Sequence, residues 1–164
     1  MNTIELPSIS NNVAYEVFHA DGVSKLSHSD CLQKANEFAK ASKIYYNNIV
    51  NSAPIITPAN FNLGLIGSII TKSYSVFPGS YNFNNILKMI ETNNSEHLIC
   101  EDSLLDIQLN KEKLKEVRKT SQIVKEIFML SSEEALKEKN VAGFKEIFPN
   151  ANLHFYSEAN LNKI

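Results

Sequence analysis

Short apolar runs take turns with amphipathic stripes along nearly the whole chain, and this alternation restricts the fold more than any other property of the sequence. Val13 to Phe18, Ser52 to Pro58 ("SAPIITP"), Tyr74 to Gly79 ("YSVFPG"), His97 to Cys100 ("HLIC"), Val124 to Leu130 ("VKEIFML") and Leu153 to Glu158 ("LHFYSE") read as strands. Helical spacing fills the intervals. Leu32, Ala35, Phe38 and Ala39 share a face behind Asp30 and Gln33, which resemble a capping box. Phe83, Ile86, Leu87 and Ile90 stand at i, i+3, i+4 and i+7 in a helix beginning near Asn82. Gly64 to Thr71 ("GLIGSIIT") reads as a small-residue helix packed close to a sheet, and Asn110 to Gln122 as a charged surface helix. Ser131 with Glu134 marks a helix start before Ala135 and Leu136, and Val141, Phe144, Ile147 and Phe148 continue that region after a break at Asn140. Strand and helix in turn predict an α/β fold, a mainly parallel sheet with helices on both faces, because each parallel connection needs a crossover that lies across a face. No linker, repeat or low-complexity tract divides the sequence, which predicts one domain over residues 1–164.

The totals narrow the functions. A formal net charge of -2 supplies no broad basic field for nucleic acid or anionic membranes. No apolar run reaches the roughly 20 residues that cross a bilayer; Leu63 to Ile70 is interrupted by Gly64, Gly67 and Ser68. Cys31 and Cys100 are too few for a disulfide framework and form no CxxC, so buried thiols in a reducing compartment are expected. The N-terminus matches neither a secretory signal nor an Arg-rich transit peptide. Arg118 is the only arginine, so a bidentate anion clamp can be built at one place at most.

Candidate chemistry concentrates in "FHADGVSKLSHSD", Phe18 to Asp30, where a strand, a loop with Gly22 and Lys25, and a helix follow in the order of a phosphate cradle. Such a cradle needs backbone N–H groups turned inward and glycines that permit close approach. This segment has one glycine and places Asp21 in the middle. A like charge at ~4 Å and an effective dielectric near 20 costs about 4 kcal/mol, half of the roughly 8 kcal/mol in a micromolar affinity. ATP binding is therefore not expected there. His19, His28, His97 and His154, with two isolated cysteines, form no zinc spacing. Ser27 and His28 are adjacent without a GxSxG elbow, and read as structural. Glu101, Asp102 and Asp106 read as exposed acids, the charges from Lys111 to Lys119 as a solvated helix face, and the stripe at Phe83 as core.

Several segments taken in order, from about Asn12 to Ala159, resemble the AMP-forming acyl-CoA synthetases, especially the medium-chain type, over a middle part of their large N-terminal domain. The family's TSGTTGxPKG loop and following LSH correspond to "VAYEVFHADGVSKLSH". Gly22 and Lys25 remain from the loop, Leu26, Ser27 and His28 keep its exit, and three residues are missing between lysine and histidine. PLFHxxG corresponds to "PANFNLG", Pro58 to Gly64, with Phe61 in the histidine position. "YSVFPGSYNFNNILKMIETNNSEHLIC" resembles the family's next strand, helix and strand, after which GTPTM becomes Cys100 to Leu104. Ser132 and Glu133 hold the glycine positions of SGGAPL. Ser157 and Glu158 match the threonine and glutamate of YGMTE, with His154 at its tyrosine and Phe155 at its glycine.

The resemblance implies that Gly22, Lys25, Ser157 and Glu158 are vestigial nucleotide and magnesium positions, with no catalytic residue, cofactor or metal retained. The family's ribose-binding aspartate and C-terminal-domain lysine fall outside the matched part. The expected function is a non-catalytic accessory subunit whose partners are other protein subunits of a larger complex, not nucleic acid. Its expected location is intracellular, in a mitochondrial complex, with the cytoplasm as the alternative. An acyl-CoA or acyl-chain binding module without adenylating activity is the second reading, and an enzyme completed by another chain the third.

Overall fold

The computed structural model describes residues 13–19, 22–53, 60–78, 82–101, 104, 120–131 and 138–157. Two sheets are present among them. Strands β1 (Val13–His19) and β2 (Gly22–Ser27) pair antiparallel as a hairpin, with Glu16 opposite Lys25 and His19 opposite Gly22. Helix α1 (His28–Ser42) follows directly and touches both strands. Its buried face is Cys31, Ala35, Phe38 and Ala39, the spacing of one helical stripe.

The second sheet has five parallel strands in the order β4-β3-β5-β6-β7: β3 is Asn48–Asn51, β4 Tyr74–Val76, β5 His97–Glu101, β6 Glu126–Ser131 and β7 Asn152–Ser157. A π-helical segment, Asn60–Ile66, runs into helix α2 (Gly67–Thr71) between β3 and β4. Helix α3 (Phe83–Asn93) joins β4 to β5, and α4 (Glu138–Ile147) lies between β6 and β7.

Alternation along the strands sorts the core into two layers. Val50, Leu98, Cys100, Ile127 and Met129 pack with the α3 stripe and with Phe144, Ile147 and Phe148. Ile49, Ile99, Phe128, Leu130 and Tyr156 turn the other way and pack on Phe38, Ile44 and Leu63. Neighbouring residues thus supply opposite faces, as a pleated strand covered on both sides requires.

Four expectations are corrected. The strand expected over Ser52 to Pro58 lies upstream at Asn48–Asn51, where Ile49 and Val50 bury one residue into each layer. Ser52 instead ties the strand end to β5, its N–H donating to the Ile99 carbonyl at 2.8 Å; residues 54–59 lie outside the described residues. Helix α1 begins at His28 rather than after Asp30, because the capping box is Ser27 with Asp30 and not Asp30 with Gln33. Asn140 lies inside α4, so the expected break is not there. Gly22 and Lys25, expected in a loop, lie in β2, and His19 ends β1; residues 20 and 21 lie outside the described residues. Ser131, expected with Glu134 to mark a helix start, is the last residue of β6; Glu134 and most of the helix expected from Asn110 to Gln122 fall outside the described residues, which include Thr120 and Ser121 in helical conformation.

Candidate functional site

Lys25 extends from the middle of β2, and its ammonium is 2.8 Å from Glu16 Oε1 on the opposite strand. Both side chains are largely exposed, so the contact is a surface cross-strand ion pair. Gly22 pairs with His19 at the end of the ladder. A strand sends successive amides to opposite edges, so Gly22–Ser27 offers no run of N–H groups converging on one point, which is what an anion nest is made of. Ser157 ends β7 opposite Ser131, at the carboxyl edge of the five-stranded sheet, whereas Gly22 and Lys25 belong to the hairpin's own sheet. Glu158, Asp21, Pro58, Asp102, Ser103, Asp106, Ser132 and Glu133 lie outside the described residues.

Ser27 is the N-cap of α1. Its hydroxyl oxygen accepts from the Asp30 N–H at 3.1 Å and donates to Asp30 Oδ2 at 2.6 Å, while the Ser27 N–H donates to the same carboxylate at 3.0 Å. These bonds, the side-chain one first and the backbone one second, hold the Asp30 carboxyl below the usual carboxylate range against a small opposing effect of burial. A carboxyl lowered by folding stabilises the protein above its unfolded value, and that contribution disappears as pH falls through the folded one. Ser27→Ala is expected to lower stability by about 1 kcal/mol and to move the Asp30 titration back toward that of a free aspartate, as read by urea unfolding and by carboxyl NMR. The hydroxyl thus caps α1, the kind of structural role expected of Ser27.

At the carboxyl end of β3 a buried polar knot joins strand to π-helical segment. Asn51 Nδ2 donates to Asn60 Oδ1 at 2.9 Å, Asn60 Nδ2 donates to the Ala53 carbonyl at 2.6 Å, and the Ala53 N–H donates to Asn51 Oδ1 at 3.3 Å. Gly64 lies against this knot; a Cβ there would come within 1.8 Å of Asn60 Oδ1 and 2.5 Å of Asn51 Nδ2. Gly67 lets the segment approach α1 closely, though less tightly, since a Cβ would stand 3.0 Å from Phe38 Cδ1. The expected small-residue segment therefore packs on β3 through one glycine and on α1 through the other. Phe61, in the position of the family's histidine, is half-buried in the π-helical segment.

A second cluster lies toward the amino ends of β5, β6 and β7. Phe128 is sandwiched between His154, stacked at 4.8 Å, and His97, parallel at 6.4 Å between ring centroids. Glu126 Oε2 is 2.6 Å from His154 Nε2, and Asn152 Nδ2 donates to Glu126 Oε1 at 2.9 Å. Burial raises the Glu126 carboxyl, but these hydrogen bonds together with the neighbouring imidazoles outweigh it and leave the group below its ordinary value. Burial is also the main influence on His97, and it holds that imidazole down. Ligands of open α/β sheets gather at the carboxyl ends of strands, so this cluster at the opposite edge reads as a support for the sheet. Reading the sequence segment by segment missed it. Laying "HLIC", "VKEIFML" and "LHFYSE" side by side in parallel register would have shown His97 opposite Glu126 and Phe128 opposite His154. Among the described residues no group of three His, Cys, Asp or Glu side chains is placed to hold a metal ion, and no helix is long and apolar enough to cross a membrane.

No protein-family profile and no curated protein matches the chain. Solved structures do. The chain is similar to IdnL1 at a TM-score of 0.71 and 13% identity, over 93% of its own length and 31% of that structure's. It is similar to a long-chain-fatty-acid-CoA ligase (FadD1) from Archaeoglobus fulgidus at 0.69 and 13%, covering 97% of this chain and 36% of the other. It is also similar to O-succinylbenzoate Coenzyme A synthetase (MenE) from Bacillus subtilis, at 0.67 and 11%, with 92% and 31% covered. The chain thus spans about a third of the length of these structures. Identities this low speak for the fold alone. It is an α/β fold with a five-stranded parallel sheet that matches a fragment of the adenylate-forming enzyme fold.

Proposed function

We propose that this chain is a non-catalytic, acyl-CoA-synthetase-like accessory subunit, descended from the medium-chain type and held by other proteins in a larger assembly, with a mitochondrial complex as its setting. The observation that carries the reading is the β1–β2 hairpin: Gly22 and Lys25, which correspond to the glycine and lysine of a phosphate loop, lie in β2, and the lysine is paired with Glu16. Polyphosphate binding needs a concave set of donors already in place. Freeing the lysine and reshaping the strand into such a cup would break the hairpin ladder.

Titration calorimetry of the purified chain with ATP and magnesium is expected to give no binding heat at micromolar to millimolar nucleotide, and native mass analysis of the chain from its source is expected to find it in a complex. A micromolar ATP affinity, or pyrophosphate release from ATP and a fatty acid in the native complex, would overturn the reading. The acyl-CoA-binding alternative is favoured by one feature, the π-helical segment Asn60–Ile66 leading into α2, since π-helical turns recur at functional sites. Tight binding of acyl-CoA by the isolated monomer in the same calorimeter would select it.

A further inference from the structure

The turn after α1 and the end of α2 come together beside β4. The Tyr46 N–H donates to the Thr71 carbonyl at 3.2 Å, and the Tyr74 N–H donates to the Asn47 carbonyl at 2.9 Å. Ser73 Oγ reaches the Ile44 carbonyl at 3.4 Å. This welded corner carries an unusual amount of apolar surface toward water: Tyr46 is 75% exposed, Ile69 68%, Tyr74 63% and Tyr45 45%. Tyr46 also holds a left-handed backbone at φ 58°, a conformation that disfavours bulky side chains. An outlier of this kind is kept only where its surroundings fix it, and such positions cluster at active sites, ligand clamps and switch regions.

The charge along the two segments of the corner has one sign, with Glu37 standing just before the first of them, one helical turn from Lys40. Residues 38–48 and 66–77 contain Lys40, Lys43 and Lys72 and no aspartate or glutamate. All three lysines are exposed. Glu91 and Glu96, at and just beyond the end of α3, are engaged by Thr120 and Lys125. Among the described residues β4 is one of the two edge strands of the five-stranded sheet, paired to β3 on one side only. Edge backbone adds an extended segment through main-chain hydrogen bonds, while flanking side chains choose its sequence.

We propose that this corner is a docking site for an extended, acidic segment of a partner protein, which pairs along β4, lays its apolar side chains over Tyr46 and Tyr74, and meets Lys43 and Lys72 with its carboxylates. The inference deepens the accessory-subunit reading and rests on it. Charge complementarity decides the occupant. A second copy of this corner would bring lysine against lysine, and like charges in contact oppose association.

The test measures fluorescence anisotropy of the full chain with three probes: a ten-residue peptide of alternating valine and glutamate, the same peptide with lysine for glutamate, and a ten-nucleotide oligo-dT. The glutamate peptide is expected to bind, to slow amide exchange at Tyr74–Val76, and to weaken about tenfold in the double variant Lys43→Glu, Lys72→Glu, with Lys88→Glu without effect. Tyr46→Gly relieves the left-handed strain and removes the ring, so it is expected to raise Tm while weakening the peptide. Equal binding of the lysine peptide or of oligo-dT, no binding of the glutamate peptide, or indifference to Lys43→Glu and Lys72→Glu overturns the inference, as does a dimer in sedimentation that Tyr74→Ser dissolves. A photo-cross-linking residue in place of Tyr74, used in the native assembly, separates the two readings. Cross-links that avoid acidic segments defeat the docking site and leave the accessory role standing, while a chain that migrates alone in the native extract defeats the role itself.

Discussion

Gly64→Ala is expected to lower the unfolding free energy by about 3 kcal/mol, which for a chain of this size means a Tm fall of roughly 6–12 °C. The added methyl meets polar atoms that cannot yield independently. Asn60 Oδ1 and Asn51 Nδ2 are bonded to each other, and Asn60 also holds the Ala53 carbonyl, so moving either side chain leaves buried groups unpaired. Asn51 and Asn60 are fully buried, so bulk solvent does not reach either side chain. Strain and lost hydrogen bonds therefore act together. Because the collision is with Asn60, Asn60→Ala should cost less in the Gly64→Ala background than in the native chain, a coupling that a double-mutant cycle in urea reads directly.

Phe128→Ala is expected to destabilise by about 3–5 kcal/mol. The ring is fully buried at the centre of the α1-side layer, edge-on to Phe38 at 5.8 Å, 6.3 Å from Tyr156 and stacked on His154. Truncation opens a cavity in a layer packed between α1 and the five-stranded sheet, and such cavities collapse only in part. It also takes away the surface against which His154 is held for Glu126. Phe38→Ala acts on the same space. The double variant should lose less than the sum of the singles by about 1 kcal/mol, the worth of the edge-to-face pair. Equal and additive losses in thermal or urea unfolding would show that the two rings stabilise separate parts of the molecule.

What the sequence disclosed depended on how local the signal was. The α3 stripe, the strands at "YSVFPG", "HLIC", "VKEIFML" and "LHFYSE", and the parallel sheet with two covered faces were readable because each rests on a period of two or on helical spacing within about ten residues. β3 was misplaced because prolines framed "SAPIITP" like strand boundaries, while the true strand is four residues long and shows only Ile49 and Val50 as apolar. β2 was read as a loop because Gly22, Ser24 and Ser27 dilute its alternation, and its pairing depends on β1 opposite. Of the four site positions, Gly22 and Lys25 proved to be strand residues, Ser157 falls at the end of β7, and Glu158 is outside the described residues. The π-helical segment and the histidine sandwich had no local signature. One depends on the Asn51 to Asn60 knot and the other on the register of three separate strands.

The strand order also governs how the molecule can be assembled as it leaves the ribosome. Once β3 and β4 are together, β5 joins the other side of β3, β6 joins β5, and β7 joins β6, so every newcomer meets an open flank and none has to wedge between two strands already paired. Antiparallel β1 and β2 close on a microsecond scale before any of this begins. Emerging N-terminus first, the described strands of this sheet can therefore pair in an order that leaves each earlier pairing in place.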